Sequence, residues 1–340
     1  MNRIYTLSIC LLAMSCTNAL NIEDQNWTIN ENFIREGCFK GKDCIPSIDS
    51  PQFSAINGEN LNFVDDEELV VGIWHDGEYL AFPHSVLDWH EIVNGSGYSI
   101  SYCPLTGSAI NIETGHEFGV SGLLFNSNLI MYDRKTDSLW PQMLLESANG
   151  NRIGDNLAIN PMLETTWANW KKLYPNSKIL NANTGYNRDY NRYPYGDYKN
   201  CNSLACQDYI YFPIEFQDNR LAAKERVLTI INGSGAKAIR IKSNLPEIFN
   251  IEVNGEKYAA IISESDNIAI AYRTDIELEI EKWDISSGEI IISDRNSNEQ
   301  WNILGVDMSN PGTNNLQTGE SYIAYWFSAA AFFPDIEIVN

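Results

Sequence analysis

Two stretches decide how the chain is read: Glu68-Leu-Val-Val-Gly-Ile-Trp-His-Asp-Gly-Glu-Tyr-Leu-Ala-Phe-Pro83 and Glu225-Arg-Val-Leu-Thr-Ile-Ile-Asn-Gly-Ser-Gly-Ala-Lys-Ala-Ile-Arg240. Each is an apolar, β-branched run, a tight turn and a second run. The turns contain Asp76-Gly77 and Asn232-Gly233, residue types whose tolerance of positive φ lets antiparallel strands join closely. Farther along, Asp133-Arg134 precedes Trp140 at the spacing at which Asp294-Arg295 precedes Trp301. Both halves close on an aromatic segment with a Tyr-Pro or Phe-Pro step, at residues 167–175 and 322–334, and then a short apolar strand. This pattern is a degenerate internal duplication.

Strand composition dominates both copies, as in Tyr98-Ser-Ile-Ser-Tyr-Cys103, Leu129-Ile-Met-Tyr132, Ile268-Ala-Ile-Ala-Tyr272 and Glu289-Ile-Ile-Ile292. Helices are expected to be few and short, with the leading candidates at residues 85–93, 165–173 and 319–332. The expected fold is therefore mainly β, or α+β with few short helices, in two repeats forming barrel- or sandwich-like lobes. The first lobe is assigned to residues 45–180 and the second to 221–340. Residues 181–220, rich in Asn, Tyr and Gly, are expected to be a connector packed across the lobes, because a free linker carries few large rings.

The 340 residues hold 45 Asp and Glu against 23 Lys and Arg, a net charge of −22, so the average field repels nucleic acid and anionic lipid. Neither a phosphate loop nor a dinucleotide fingerprint is present, and no nucleic acid or nucleotide partner is expected. Residues 1–15, with Arg3 ahead of an apolar run, read as a signal peptide. Leu12-Ala-Met-Ser-Cys16 resembles the lipobox of bacterial lipoproteins, which implies lipidation of Cys16, a tether through residue 44 and contact with the membrane by the anchor only. Cys38, Cys44, Cys201 and Cys206 lie in short polar loops that disulfides can staple in an oxidising compartment, within each loop or across them. Cys103 is then left unpaired.

The first repeat has the chemistry. His75, His84, His90 and His116 all fall in it with Cys103, whereas the second has no histidine or cysteine. A Cys–His pair generates a thiolate nucleophile when the imidazole takes the thiol proton. In that reading Cys103 and His90 are catalytic, Glu91 or Asp133 balances the imidazolium, and Asn126 or Asn128 faces an oxyanion. The same two groups, with Met131 or a second histidine, suit copper or zinc. The plain alternative is an inert buried thiol and a histidine bonded to backbone. Arg134 offers a planar fork to Glu91 or to an acidic ligand, although the recurrence of Asp294-Arg295 favours a structural role. Asn126-Ser127-Asn128 is either a pocket lining or a turn.

Three blocks, Trp89-His-Glu-Ile-Val-Asn94, Tyr102-Cys-Pro-Leu-Thr-Gly-Ser-Ala109 and Phe118 through Arg134 with Ser138-Leu-Trp140, resemble those of the bacterial family known as domain of unknown function 3179. The resemblance spans roughly residues 45–339 and implies an exported or lipid-anchored protein. His90, Glu91, Cys103, Asn126, Ser127, Asn128, Tyr132, Asp133, Arg134, Ser138 and Trp140 fall on its motifs, and His75, His84 and His116 are particular to this chain. Cys44 stands where glycine is more usual, which favours a local disulfide with Cys38. Three functions are thus expected to compete. The first is an anchored envelope protein binding copper, zinc or a small ligand through the first lobe, with Ser127, Tyr132, Asp133, Arg134, Ser138 and Trp140 as ligand contacts. The others are a Cys103–His90 enzyme of thiol, acyl-transfer or redox type and a structural protein docking an envelope partner.

Overall fold

The computed structural model describes residues 26–199 and 204–339. The expected signal peptide, the lipidation site Cys16 and Cys201 lie outside them. In chain order the first half contains β1 (Ile34–Glu36), β2 (Phe53–Ala55), β3 (Leu69–His75), β4 (Glu78–Pro83), α1 (His84–His90), β5 (Ile92–Asn94), β6 (Tyr98–Cys103) and β7 (Ser108–Glu113). It continues with β8 (Phe118–Phe125), β9 (Asn128–Asp133), β10 (Leu139–Pro141), β11 (Leu163–Thr166), α2 (Trp167–Leu173) and β12 (Lys178–Leu180). After α3 (Leu204–Gln207) come β13 (Arg226–Asn232), β14 (Gly235–Arg240), β15 (Glu247–Val253), β16 (Glu256–Ser263), β17 (Ile268–Arg273) and β18 (Leu278–Asp284). The chain ends with β19 (Glu289–Asp294), β20 (Gln300–Asn302), β21 (Glu320–Tyr325), α4 (Trp326–Phe332) and β22 (Glu337–Val339).

The two halves repeat one topology. Sheet β11-β3-β4-β12 matches β21-β13-β14-β22, with the last strand of each parallel to its neighbour. The meanders β5-β6-β7 and β8-β9-β10 match β15-β16-β17 and β18-β19-β20. Even the bulges correspond, between Val120 and Leu123 in one copy and Ile280 and Lys282 in the other. The same backbone bonds start the helices: Trp167 N–H donates to the Glu68 carbonyl and Trp326 N–H to that of Glu225. Barrels do not form, because sheets of three to five strands are too narrow to close, and all six remain open.

Local chemistry sets the details. Asp76 and Gly77 both take positive φ, 48° and 82°, as a two-residue hairpin of this kind requires. In the second copy Asn232 is still paired with Gly235, so the chain turns at Gly233-Ser234, one residue beyond the expected position. The helix expected over residues 319–332 splits into β21 and α4, because residues 320–325 complete the sheet beside β13. The first helix stops at His90, where Glu91 turns left-handed with φ 57° and the chain leaves as β5. Among the described residues no helix is long and apolar enough to cross a membrane.

The lobes are interlocked. One core joins Val120, Met131 and Trp140 of the first half to Val227, Ala324 and Trp326 of the second, and another joins Val70, Leu163 and Trp170 to Ile261, Ile292 and Trp301. Each half also keeps a smaller core of its own. Each of those four tryptophans is almost fully buried. Burial of such a ring removes roughly 150–250 Å² from water, worth on the order of 4–6 kcal/mol, so separating the lobes is costly. Trp170 lies on Gly72, where an added Cβ would come within 1.9 Å of its ring.

Candidate functional site

Helix α1, inserted between β4 and β5, brings the titratable groups into place. It follows Pro83, and its second residue donates its N–H to the Glu68 carboxylate at 2.6 Å. His84 and Asp88, one helical turn apart, share a face, while His90 and Glu91 sit at the C-terminal end. All four are buried.

The structure does not join His90 to Cys103. The His90 ring is hydrogen-bonded through Nδ1 to the Pro46 carbonyl at 2.8 Å and through Nε2 to the Tyr190 hydroxyl at 2.8 Å. Burial pulls its pKa down to about 4, leaving it neutral. The Cys103 sulfur approaches the Ser127 carbonyl at 4.0 Å, and burial, with the nearby Glu91 charge, pushes the thiol up to about 11. Met131 is fully buried in the shared apolar core. Among the described residues no group of three or more His, Cys, Asp or Glu side chains is arranged to hold a metal ion.

The remaining motif residues sit in well-bonded structural positions. Asn126 and Ser127, both at positive φ, form the β8–β9 turn. Asn126 ties the lobes together, donating to the Ala331 carbonyl and accepting from the Glu215 N–H. Asn128 donates to Thr106, Ser108 and Gln142 in a buried polar knot between sheets. Asp133 accepts from Thr136 and from the Trp140 indole, and Ser138 accepts from the Arg152 N–H. Arg134 does not reach Glu91. It forks onto Asp43 at 3.0 and 3.1 Å, with the Tyr132 hydroxyl on the same carboxylate at 2.6 Å, and so pins the loop closed by the Cys38–Cys44 disulfide. Cys206 is also disulfide-bonded.

Glu91 stands apart from these. It lines a first-lobe cavity of about 380 Å³ with apolar walls that include Leu105, Val120, Leu124, Leu129 and Phe212. Among the described residues its carboxyl has one side-chain partner, the Tyr195 hydroxyl at 2.6 Å. Burial outweighs that bond and raises the carboxyl to about 7.

A second void, about 420 Å³, opens between the lobes on the other side of the β6–β7 turn. Strand alternation and the turn divide the second motif block, with Leu105 on the first cavity and Tyr102 and Gly107 on this cleft. Here His84 bridges two charges, its Nε2 3.2 Å from Glu164 and its Nδ1 3.4 Å from the Lys199 ammonium. Those contacts assign the proton to Nε2, and burial holds the ring neutral, its pKa down at about 3. Lys199 also lies 3.6 Å from Asp88, whose carboxyl burial raises to about 6, and Glu164 pairs with Arg226. Sequence reasoning missed Asp88, Glu164, Lys199 and Arg226. Glu164 carries a signal, as a lone acid in the run Pro161-Met-Leu-Glu-Thr-Thr-Trp167, but only the fold brings residues from β11, the connector and β13 together.

No curated protein and no solved structure matches the chain. The sequence model of one family, described as a protein of unknown function (DUF3179), matches residues 42–336. That span covers most of the chain, including the first lobe, the connector, the second lobe up to its last strand, and every residue of the two cavities' walls but those of the Gly37–Cys38 loop. The chain therefore belongs to the DUF3179 family.

Proposed function

We propose that the protein is an exported, lipid-anchored binder of a small ligand, held in the first-lobe cavity at Glu91. The observation that carries this reading is the carboxyl of Glu91, a residue 6% exposed, set among apolar walls and having, among the described residues, a single neutral hydroxyl as its side-chain partner. A buried carboxylate without a cation is costly, and a ligand with a basic nitrogen on an apolar body supplies that cation. Export is supported by the Cys38–Cys44 disulfide, which belongs in an oxidising compartment. Anchoring rests on the lipobox at Cys16, and Cys16→Ser should move the protein from the membrane to the soluble fraction; unchanged partitioning would refute it.

The ligand test is a thermal-shift screen of small aliphatic and aromatic amines, carboxylic acids and neutral analogues. Apolar amines are expected to raise the melting temperature of the wild type and to lose that effect in Glu91→Gln and in Leu124→Trp, which fills the cavity. Equal responses in all three proteins would overturn the reading.

A second reading, proton transfer by Glu91 in the same cavity, is favoured by a carboxyl that titrates near neutrality. Thiol catalysis by Cys103 with His90 draws no such support, since the thiol stays un-ionised at neutral pH and both ring nitrogens are occupied. The copper or zinc reading needs the same two groups to turn from their present partners.

A further inference from the structure

The interlobe cleft does not belong to the Glu91 site, and cations outnumber carboxylates on its wall. Its wall carries Lys199, Lys224, Arg226 and Lys242, four cations around one void in a chain with a net charge of −22. The two carboxylates on that wall are already engaged, Glu164 by Arg226 and His84, and Glu225 by Arg240 at 2.6 Å. Lys224 has no carboxylate partner among the described residues. Its ammonium rests on the Tyr198 and Cys206 carbonyls, at 2.8 and 3.0 Å, and over the Tyr198 ring. The contacts of Lys199 are long, 3.4 Å to His84 and 3.6 Å to Asp88.

Two hydroxyls add to the donor set. Tyr102, from β6 of the first lobe, and Tyr325, from β21 of the second, are 1% and 8% exposed and both line the cleft. Among the described residues neither hydroxyl makes a hydrogen bond, and neither is sealed from solvent. Burial keeps both protonated at neutral pH, so they donate. Each hydroxyl is therefore free to donate to an acceptor that enters the void. Gly107 makes this arrangement possible: its φ of 59° suits glycine, and an added Cβ would lie 2.9 Å from the Tyr325 ring.

We propose that this cleft binds a small organic anion, whose carboxylate or phosphate group is held by the Tyr102 and Tyr325 hydroxyls and by Lys199, Lys224 and Arg226. Of the four cations on the wall, Arg226 faces Glu164 and Lys242 lies 3.8 Å from Glu264, so Lys199 and Lys224 supply the positive charge that favours an anion over a cation or a neutral ligand. The volume is that of a small-molecule site. Because the donors come from the first lobe, the connector and the second lobe, occupancy also braces the interface.

The test is calorimetric titration of the full-length protein with inorganic phosphate and, separately, with succinate, at constant chloride and ionic strength. Saturable one-to-one binding of at least one anion is expected. The Tyr102→Phe/Tyr325→Phe double variant should weaken it about tenfold or more, as loss of two hydrogen bonds to a charged group implies. Lys224→Gln, on the partly exposed wall, should weaken it comparably and serves if the double variant folds poorly. Leu124→Trp, in the other cavity, should leave it unchanged, which separates failure here from failure of the Glu91 reading. Binding of phosphate alone identifies a phosphate ligand, and binding of succinate alone a carboxylate. No binding of either anion by the wild type, or binding undiminished in the variants, overturns the proposal.

Discussion

The two lobes share a backbone plan and differ in what they bury. In the register of the meanders, Tyr98 corresponds to Tyr258, but Ser99, Ser101, Tyr102 and Cys103 correspond to Ala259, Ile261, Ile262 and Ser263. The first lobe puts polar groups where the second has mostly aliphatic ones. The larger difference is α1: the first lobe joins β4 to β5 through a helix bearing His84, Asp88 and His90 and ending at Glu91, whereas the second joins β14 to β15 through residues 241–246 without a helix. Buried polar groups lower stability unless they are satisfied, so in this duplicated fold the cost of burying them falls on the first copy.

The comparison can be broken at its tightest packing contact. Gly72 and Trp170 correspond to Thr229 and Ala329, a small–large pair in one lobe against a larger–small pair in the other. Gly72→Thr is expected to cost about 3 kcal/mol or more, because its Cβ enters the Trp170 ring. In Gly72→Thr/Trp170→Ala the clash is gone, and denaturant unfolding should find it no less stable than Trp170→Ala alone. Additive losses would show that the lobes do not pack equivalently.

Glu91 has no counterpart in the second lobe, and its titration gives a second test. Burial raises its pKa in the folded protein from 4.5 to about 7, so between those values the folded state holds a proton that the unfolded chain has released. Stability from this group is present in full below 4.5, declines by about 3 kcal/mol as pH rises to 7, and is level above that. Glu91→Gln should remove this slope and melt higher than the wild type above neutrality. An unaltered stability–pH profile would place the carboxyl in contact with solvent.

The smallest effect is expected where the lobes differ by one atom. Cys103→Ser installs the residue of the second lobe and should change stability by about 1 kcal/mol or less. In the folded wild type the thiol should resist alkylation at neutral pH and react once denaturant is added; rapid reaction in the native state would mark a thiolate and revive the nucleophile reading.

Much of the architecture is legible in local chemistry. Asp76-Gly77 and the alternation around it specify a hairpin, and the spacing of Asp-Arg to Trp exposes the duplication, because both are patterns within a few residues. Cys38 and Cys44 pair as the family resemblance favours. The division of residues 319–332 into strand and helix was not legible, since the partner that makes residues 320–325 a strand lies in β13. The site was harder for the same reason. His90 and Cys103 look reactive by type, but their partners, Pro46, Tyr190 and Ser127, come from elsewhere in the chain. Arg134 finds its carboxylate in Asp43 rather than Glu91. Lys199, Glu164 and Arg226 meet only after three elements have folded against each other.

Because each half presents part of its apolar interior to the other, neither length of chain is a self-sufficient folding unit. A protease cut in the exposed stretch near residues 216–219 would sever the polypeptide without parting the pieces, which would stay clasped until denatured. The same mutual dependence means that whichever half is synthesised first has to wait, its oily faces unmatched, for the half that follows.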